Sequence, residues 1–214
     1  MVHDLGHPLG FTAFLKKELV KIDGLQMREL FVRYIINLYQ DVPTSVYEGL
    51  LSIFCLGAVV MIALKGFKNG SILSVVLLAT EYMILIYCAT VIFRECTEVE
   101  GHNFTPFWSY GAIESGRIDL LAENIMNVVV FVPVGFLLSC VSRHLKWWMV
   151  LFFGFGISVS IEALQYFFYK GFSEVDDVIH NTIGCAIGIM MVAVLKGIWK
   201  FCCYVFVPQR RAKG

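Results

Sequence analysis

The sequence predicts an all-α membrane protein: a polytopic helical bundle of about five transmembrane helices, preceded by an amphipathic helix. Three observations predict it. Hydrophobic residues fill 58% of the 214 positions and charged residues only 16%, with a mean hydropathy of +0.73; average soluble domains run roughly 45–50% and roughly 25%. Five stretches approach the ~20 apolar residues that a helix needs to cross a bilayer. Most charged residues lie at the junctions between those stretches. One small globular core cannot bury so much apolar surface, which excludes a soluble globular domain, and a disordered chain is excluded on composition. Lys+Arg and Asp+Glu number 17 each, so no basic excess exists to neutralise a phosphate backbone, and a nucleic-acid binder is excluded.

Residues 1–44 intersperse Lys16, Lys17, Lys21, Arg28 and Arg33 with Phe11, Phe14 and Leu15. Leu30, Phe31, Tyr34, Ile35 and Leu38 recur at helical spacing, which predicts an amphipathic helix in the membrane interface. A packed cap on one end of the bundle fits the same pattern, and both readings stay open. The first residues carry no basic run ahead of an apolar segment, so they do not read as a signal peptide. The transmembrane domain occupies 45–207. Its spans are predicted at 47–64, 72–93, 125–141, 147–169 and 178–195, the last continuing as an interfacial helix to Val207. Lys65, Arg94, Arg143, Lys170 and Lys196 close the spans in turn, and a basic tail follows at 208–214.

The connections differ in charge. Residues 65–71 and 142–146 are short and basic, and the tail holds Arg210, Arg211 and Lys213. The long connection 94–124 is acidic. Basic residues beside spans favour the cytoplasm, which puts both short loops and the C-terminus inside and the acidic loop and residues 170–177 outside. The basic N-terminal segment pulls against this orientation, because five spans place it outside as well.

Polar residues inside a span are costly and mark functional sites by default. Span four holds Ser158, Glu162 and Gln165, whose spacings of four and three put them on one helix face. Glu162 is a candidate general acid/base, proton carrier or cation ligand, with a structural node between helices as the plain alternative. Span five opens on Asp176 and Asp177, with Asn181, Gly184 and Gly188 following Asp177 along one face. The two acids fit a helix N-terminus, and beyond that they are weak candidates for holding a cation. His180 stands four residues after Asp176, at pairing distance on a helix. Gly184 and Gly188 permit another helix to approach closely, including one from a second copy. Span three begins near Asn124 and Asn127, which share a face, and contains Pro133 and Gly135. Glu81 interrupts span two, with Tyr82 and Tyr87 as possible hydrogen-bonding neighbours. Arg94 and Arg117 flank the acidic loop and suit carboxylate or phosphate recognition. The connection also holds Asn103-Phe104-Thr105, and its Pro106-Phe107-Trp108 reads as an interfacial aromatic segment. The seven cysteines form no framework and read as small buried hydrophobes. Without CxxC or HExxH spacing a zinc site has no support, and the sequence names no cofactor.

Several of these stretches fall in a characteristic order. Arg94 and Asn103-Phe104-Thr105-Pro106-Phe107 are followed by Glu123-Asn124-Ile125-Met126-Asn127 and the run through Pro133-Val134-Gly135 to Leu138. Then come Ser160-Ile161-Glu162-Ala163-Leu164-Gln165-Tyr166 and Asp176-Asp177-Val178-Ile179-His180-Asn181-Thr182-Ile183-Gly184. Together they resemble the VanZ-like membrane family over residues 94–188, a little under half the chain. The resemblance implies a multi-pass plasma-membrane protein, typically of Gram-positive bacteria. The family's founding member is associated with low-level resistance to teicoplanin, a lipoglycopeptide that binds cell-wall precursors. Where the family often carries an Arg before the paired acids, this chain has Lys170-Gly171-Phe172-Ser173-Glu174. Residues 1–44 have no counterpart in it.

The expected functional cluster is Arg94, Arg117, Asn124, Asn127, Glu162, Gln165, Asp176, Asp177 and Asn181. Three functions compete. The cluster binds a lipoglycopeptide or a lipid-linked wall precursor and lowers teicoplanin susceptibility. It is an intramembrane enzyme site acting on a lipid-linked substrate, with Glu162 as general base. Or it is the proton or cation site of a small transporter or flippase subunit. Membrane lipids are expected partners in all three.

Overall fold

The computed structural model describes residues 24–96, 101–141 and 146–206. The basic residues before position 24, those of 142–145 and the tail therefore lie outside the described residues. The described chain is almost wholly helical, with five helices long and apolar enough to cross a membrane. Its only sheet among the described residues is a parallel pair of two-residue strands, β1 (His102–Asn103) and β2 (Ser173–Glu174).

Helix α1 spans Gly24–Tyr39. It is followed by α2, helical from Thr44 to Tyr87, which passes into a π-helical turn at Cys88–Ile92. A straight helix of 44 residues would reach about 66 Å, twice the hydrocarbon thickness of a bilayer. The run is not straight. Val42 packs on Cys88 and Ala89 with Val46 and Tyr47 alongside, and a methyl group on Gly57 would strike Leu77. The helix therefore doubles back between Gly57 and Leu77, giving two antiparallel spans, Thr44–Ala63 and Ile72–Ile92. The loop expected at 65–71 is thus a reversal within continuous helical backbone. None of the first span is buried, so it forms the lipid-facing rim of the bundle, with Leu51, Leu56 and Val59 on its surface.

After the short α3 (Trp108–Glu114) come α4 (Asp119–Val141), α5 (Trp147–Phe168) and α6 (Val175–Phe206). Helix α4 starts six residues earlier than the hydropathy of its span predicts, because Asp119 supplies the acid that favours a first turn. Helix α6 runs on without a break past Lys196. Ile86, Val91, Phe131, Val134 and Ile161 form the central apolar cluster.

Apolar burial gives helices little reason to associate in lipid, since acyl chains are as apolar as leucine. Close backbone approach replaces it here. Helices α4 and α6 make the most extensive pairing in the chain. Methyl groups at Gly184 and Gly188 would collide with the carbonyls of Val128 and Val132, and one at Gly135 with the carbonyl of Cys185. The glycine face offered by the sequence for a second copy is filled by α4 of the same chain. Pro133 deprives the Val129 carbonyl of its helical donor, and next to it the Tyr82 hydroxyl donates to the Val130 carbonyl at 2.8 Å.

Two further expectations are corrected. The Tyr82 and Tyr87 hydroxyls bond Val130 and Ser160, and buried Glu81 keeps an oxygen with no partner. Of the cysteines only Cys88 and Cys185 are buried, while Cys55 and Cys96 are exposed. Ile35 faces outward with Val32 and Ile36, whereas Leu30, Tyr34 and Leu38 turn toward the bundle. Helix α1 is therefore a cap on the bundle that also presents an apolar outer face. Trp108 is anchored by a polar bond, with Phe104 and Phe107 left exposed beside it.

Candidate functional site

One end of the bundle gathers α1, the π-turn, the beginnings of α4 and α6 and the end of α5. There the stripe Ser158, Glu162 and Gln165 of α5 is fully inside the protein. Glu162 Oε2 accepts the backbone N–H of Glu174 at 2.9 Å. Gln165 Nε2 donates to the Thr90 carbonyl at 3.1 Å, reaching the last turn of the π segment, where carbonyls lack helical donors. Asn181 Nδ2 donates to Ser158 Oγ at 2.9 Å, and Asn127 Nδ2 donates to Asp177 Oδ1 at 2.7 Å. Glu162, Gln165, Thr90, Asn181, Asn127, Asp177 and Arg94 line one cavity of about 40 Å³. Six predicted residues, Arg94, Asn127, Glu162, Gln165, Asp177 and Asn181, are thereby brought together.

The other three predicted residues stand elsewhere. Asp176, fully buried, accepts the N–H groups of Phe107 and Ser109 and the Ser109 hydroxyl. Asn124 donates to that same Ser109 hydroxyl at 3.0 Å. The two form a structural node that fixes the start of α3 on α6. Asn124 and Asn127 thus share a sequence spacing but serve different nodes. Arg117 pairs with Asp119 at 2.9 Å in the open, both side chains more than half exposed, and it takes no part in the cavity. Asp176 and Asp177, the weak candidates for a cation, turn to different partners. No group of three His, Cys, Asp or Glu side chains among the described residues is placed to hold a metal. His180 bonds the Tyr110 hydroxyl at 2.8 Å, not the Asp176 carboxylate.

Sequence reasoning missed three polar cavity residues. Tyr34 of α1 donates to Asn127 Oδ1 at 3.0 Å, and Thr90 and Glu123 complete the wall. Burial raises the Tyr34 phenol far above its ordinary range, with the charges of Glu123 and Asp177 adding to it, so the group stays a donor. Its spacing with Leu30 and Leu38 was the one available signal. Outside the cavity, beneath α1, lies a larger vestibule of about 380 Å³ that shares Tyr34, Arg94 and Glu123 with it and adds Arg33 and Asp119.

The β1–β2 pair ties the segment before α3 to the start of α6. Beside it Trp108 Nε1 donates to Glu174 Oε2 at 2.8 Å. Burial pushes the Glu174 carboxyl up to about 7, against the pull of the Trp108 bond. The folded chain then holds this proton more tightly than an unfolded one, so the group's contribution to stability falls as pH rises from 4.5 to about 7. The Trp108 indole N–H resonance should titrate with a midpoint near 7, and Glu174→Gln should abolish the transition. An unchanging resonance between about pH 5 and about pH 9 would contradict the assignment.

The geometry lies mostly within a recognisable frame. The chain matches the VanZ/LLP1 family over residues 75–196, more than half its length. It belongs to that family. It is also 30% identical over 89 residues to Protein VanZ of Enterococcus faecium, covering 42% of this chain and 50% of that protein. The chain thus spans about half the length of this curated relative. No solved structure matches it. All six predicted cavity residues fall inside the VanZ/LLP1 match, whereas Arg33 and Tyr34 come from the segment before it. Lys170, where the resemblance led one to expect an Arg, donates its Nζ to the Arg94 backbone carbonyl at 2.7 Å. The Arg94 guanidinium lies over Gly171, whose φ of +130° would strain any other residue at that position.

Proposed function

We propose that this VanZ-family membrane protein binds an amphiphile at the surface of the bacterial plasma membrane, its polar cluster holding one small polar group of a lipoglycopeptide or a lipid-linked wall precursor. The observation that carries the reading is the pairing of a charged cavity with a vestibule of about 380 Å³ at one end of a lipid-facing bundle. A site so placed meets a ligand whose tail stays in the bilayer. The basic short loops support an orientation with this end outside and the C-terminus in the cytoplasm, where wall precursors and teicoplanin are both within reach.

The test is drug susceptibility in a sensitive Gram-positive host. Wild type should protect against teicoplanin and not vancomycin. Glu162→Gln and Asp177→Asn, at matched membrane levels, should return the cells to the empty-vector level. Equal teicoplanin susceptibility with and without correctly inserted wild type would overturn the reading.

A further inference from the structure

The hydrogen-bonding groups around the inner cavity are unevenly committed. The Tyr34 hydroxyl donates to Asn127 and the Thr90 hydroxyl to the Ile86 carbonyl. The amide nitrogens of Asn127, Gln165 and Asn181 are anchored on Asp177, Thr90 and Ser158. These donors are thus turned into the protein wall, leaving the Arg94 guanidinium as the other donor in the lining. Asn127 Oδ1, Asp177 Oδ1 and Glu162 Oε2 are engaged as well, by Tyr34, Asn127 and the Glu174 N–H. The exception is the amide oxygen of Gln165. Gln165 is 3% exposed, and its Oε1 has no partner. Because Nε2 is fixed on a carbonyl, the amide cannot flip to hide that oxygen. Glu162 and Asp177 add carboxylate oxygens, which only accept when ionised. Three carboxylates, Glu123, Glu162 and Asp177, line the cavity against the single guanidinium of Arg94 among the described residues.

We infer that the inner cavity is a binding site for a protonated primary amine carried by an amphiphile, with Gln165 Oε1, Glu162 and Asp177 accepting its N–H bonds. The shape agrees: about 40 Å³ holds a group the size of one or two waters, which admits –NH3+ and excludes a trimethylammonium group. The vestibule, with apolar Leu30 and Leu38 and charged Arg33, holds what the amine is attached to. This inference rests on the amphiphile-binding reading and names the chemistry of the head.

The experiment uses the full chain in detergent and reads thermal stability on titration with four probes: ethylammonium chloride, sodium chloride, a short-chain phosphatidylethanolamine and the matching phosphatidylcholine. The two amine probes test a soluble and a lipid-borne source of the same group. At least one should raise the Tm saturably, while phosphatidylcholine and sodium do not. Gln165→Met should weaken that binding by about tenfold, the value of one hydrogen bond to a charged group. If this variant does not fold, Glu162→Gln replaces it and should weaken binding by at least as much. Equal shifts with phosphatidylcholine or sodium, no shift with either amine, or undiminished binding in the folded variant would overturn the inference. Those outcomes would leave teicoplanin protection untouched, whereas loss of protection alone would leave amine binding standing.

Discussion

Replacing Asp176 by Ala should lower the unfolding free energy by about 3–5 kcal/mol, the usual effect of breaking a buried charged hydrogen-bond node. The carboxylate is fully buried and takes three donors, from the Phe107 and Ser109 backbones and the Ser109 hydroxyl. Alanine would leave these donors without their acceptor, those of Ser109 in a buried site, and would free the Ser109 hydroxyl that accepts from the Asn124 amide. Asp176→Asn should fall between wild type and alanine, since its amide keeps one acceptor oxygen but sets an NH2 group against donors. Arg117→Ala should change stability by less than about 0.5 kcal/mol, because the Arg117–Asp119 pair lies in the open. Reversible unfolding in mixed micelles would measure all three. An Asp176→Ala loss no larger than that of Arg117→Ala would show that the node does not hold the start of α3 to α6.

The second large effect is expected where α4 meets α6. Gly188→Ala should destabilise by about 1–3 kcal/mol, the range for forcing extra volume into a packed contact. A methyl there meets the Val132 carbonyl and the Phe136 nitrogen, both backbone, so no side-chain rotation relieves it. Gly184→Leu should prevent folding outright, since the Val128 carbonyl blocks the same approach. Gly197 lies on the same helix, where an added methyl would meet nothing within 4 Å, and Gly197→Ala should be neutral or stabilising by up to about 1 kcal/mol. Similar effects at Gly188 and Gly197 would remove close approach as what holds the pair. Because Asp177 begins the face that carries these glycines, displacing α6 should also break the 2.7 Å bond from Asn127 and dismantle the cavity.

The sequence alone determined the helical class, the five spans and the stripe of Ser158, Glu162 and Gln165 on one buried face. It could do so because length, hydropathy and the 3.6-residue period act within a single helix. It likewise picked out Asp177, Asn181, Gly184 and Gly188 as one line, which the structure lays against α4. The tertiary structure alone decided which polar groups meet. Asp176 and Asp177 are neighbours in sequence, yet successive helical residues point about 100° apart, so one holds the start of α3 and the other enters the cavity. Asn124 and Asn127 share a face by spacing, but α3 reaches one and Asp177 the other. Tyr34 was legible only as part of an apolar repeat; its bond to a residue 93 positions away depends on how α1 is laid across the bundle. Hydropathy periodicity records which face of a helix avoids water. The pairing of donors with acceptors across helices is set by packing, and that is where the site was made.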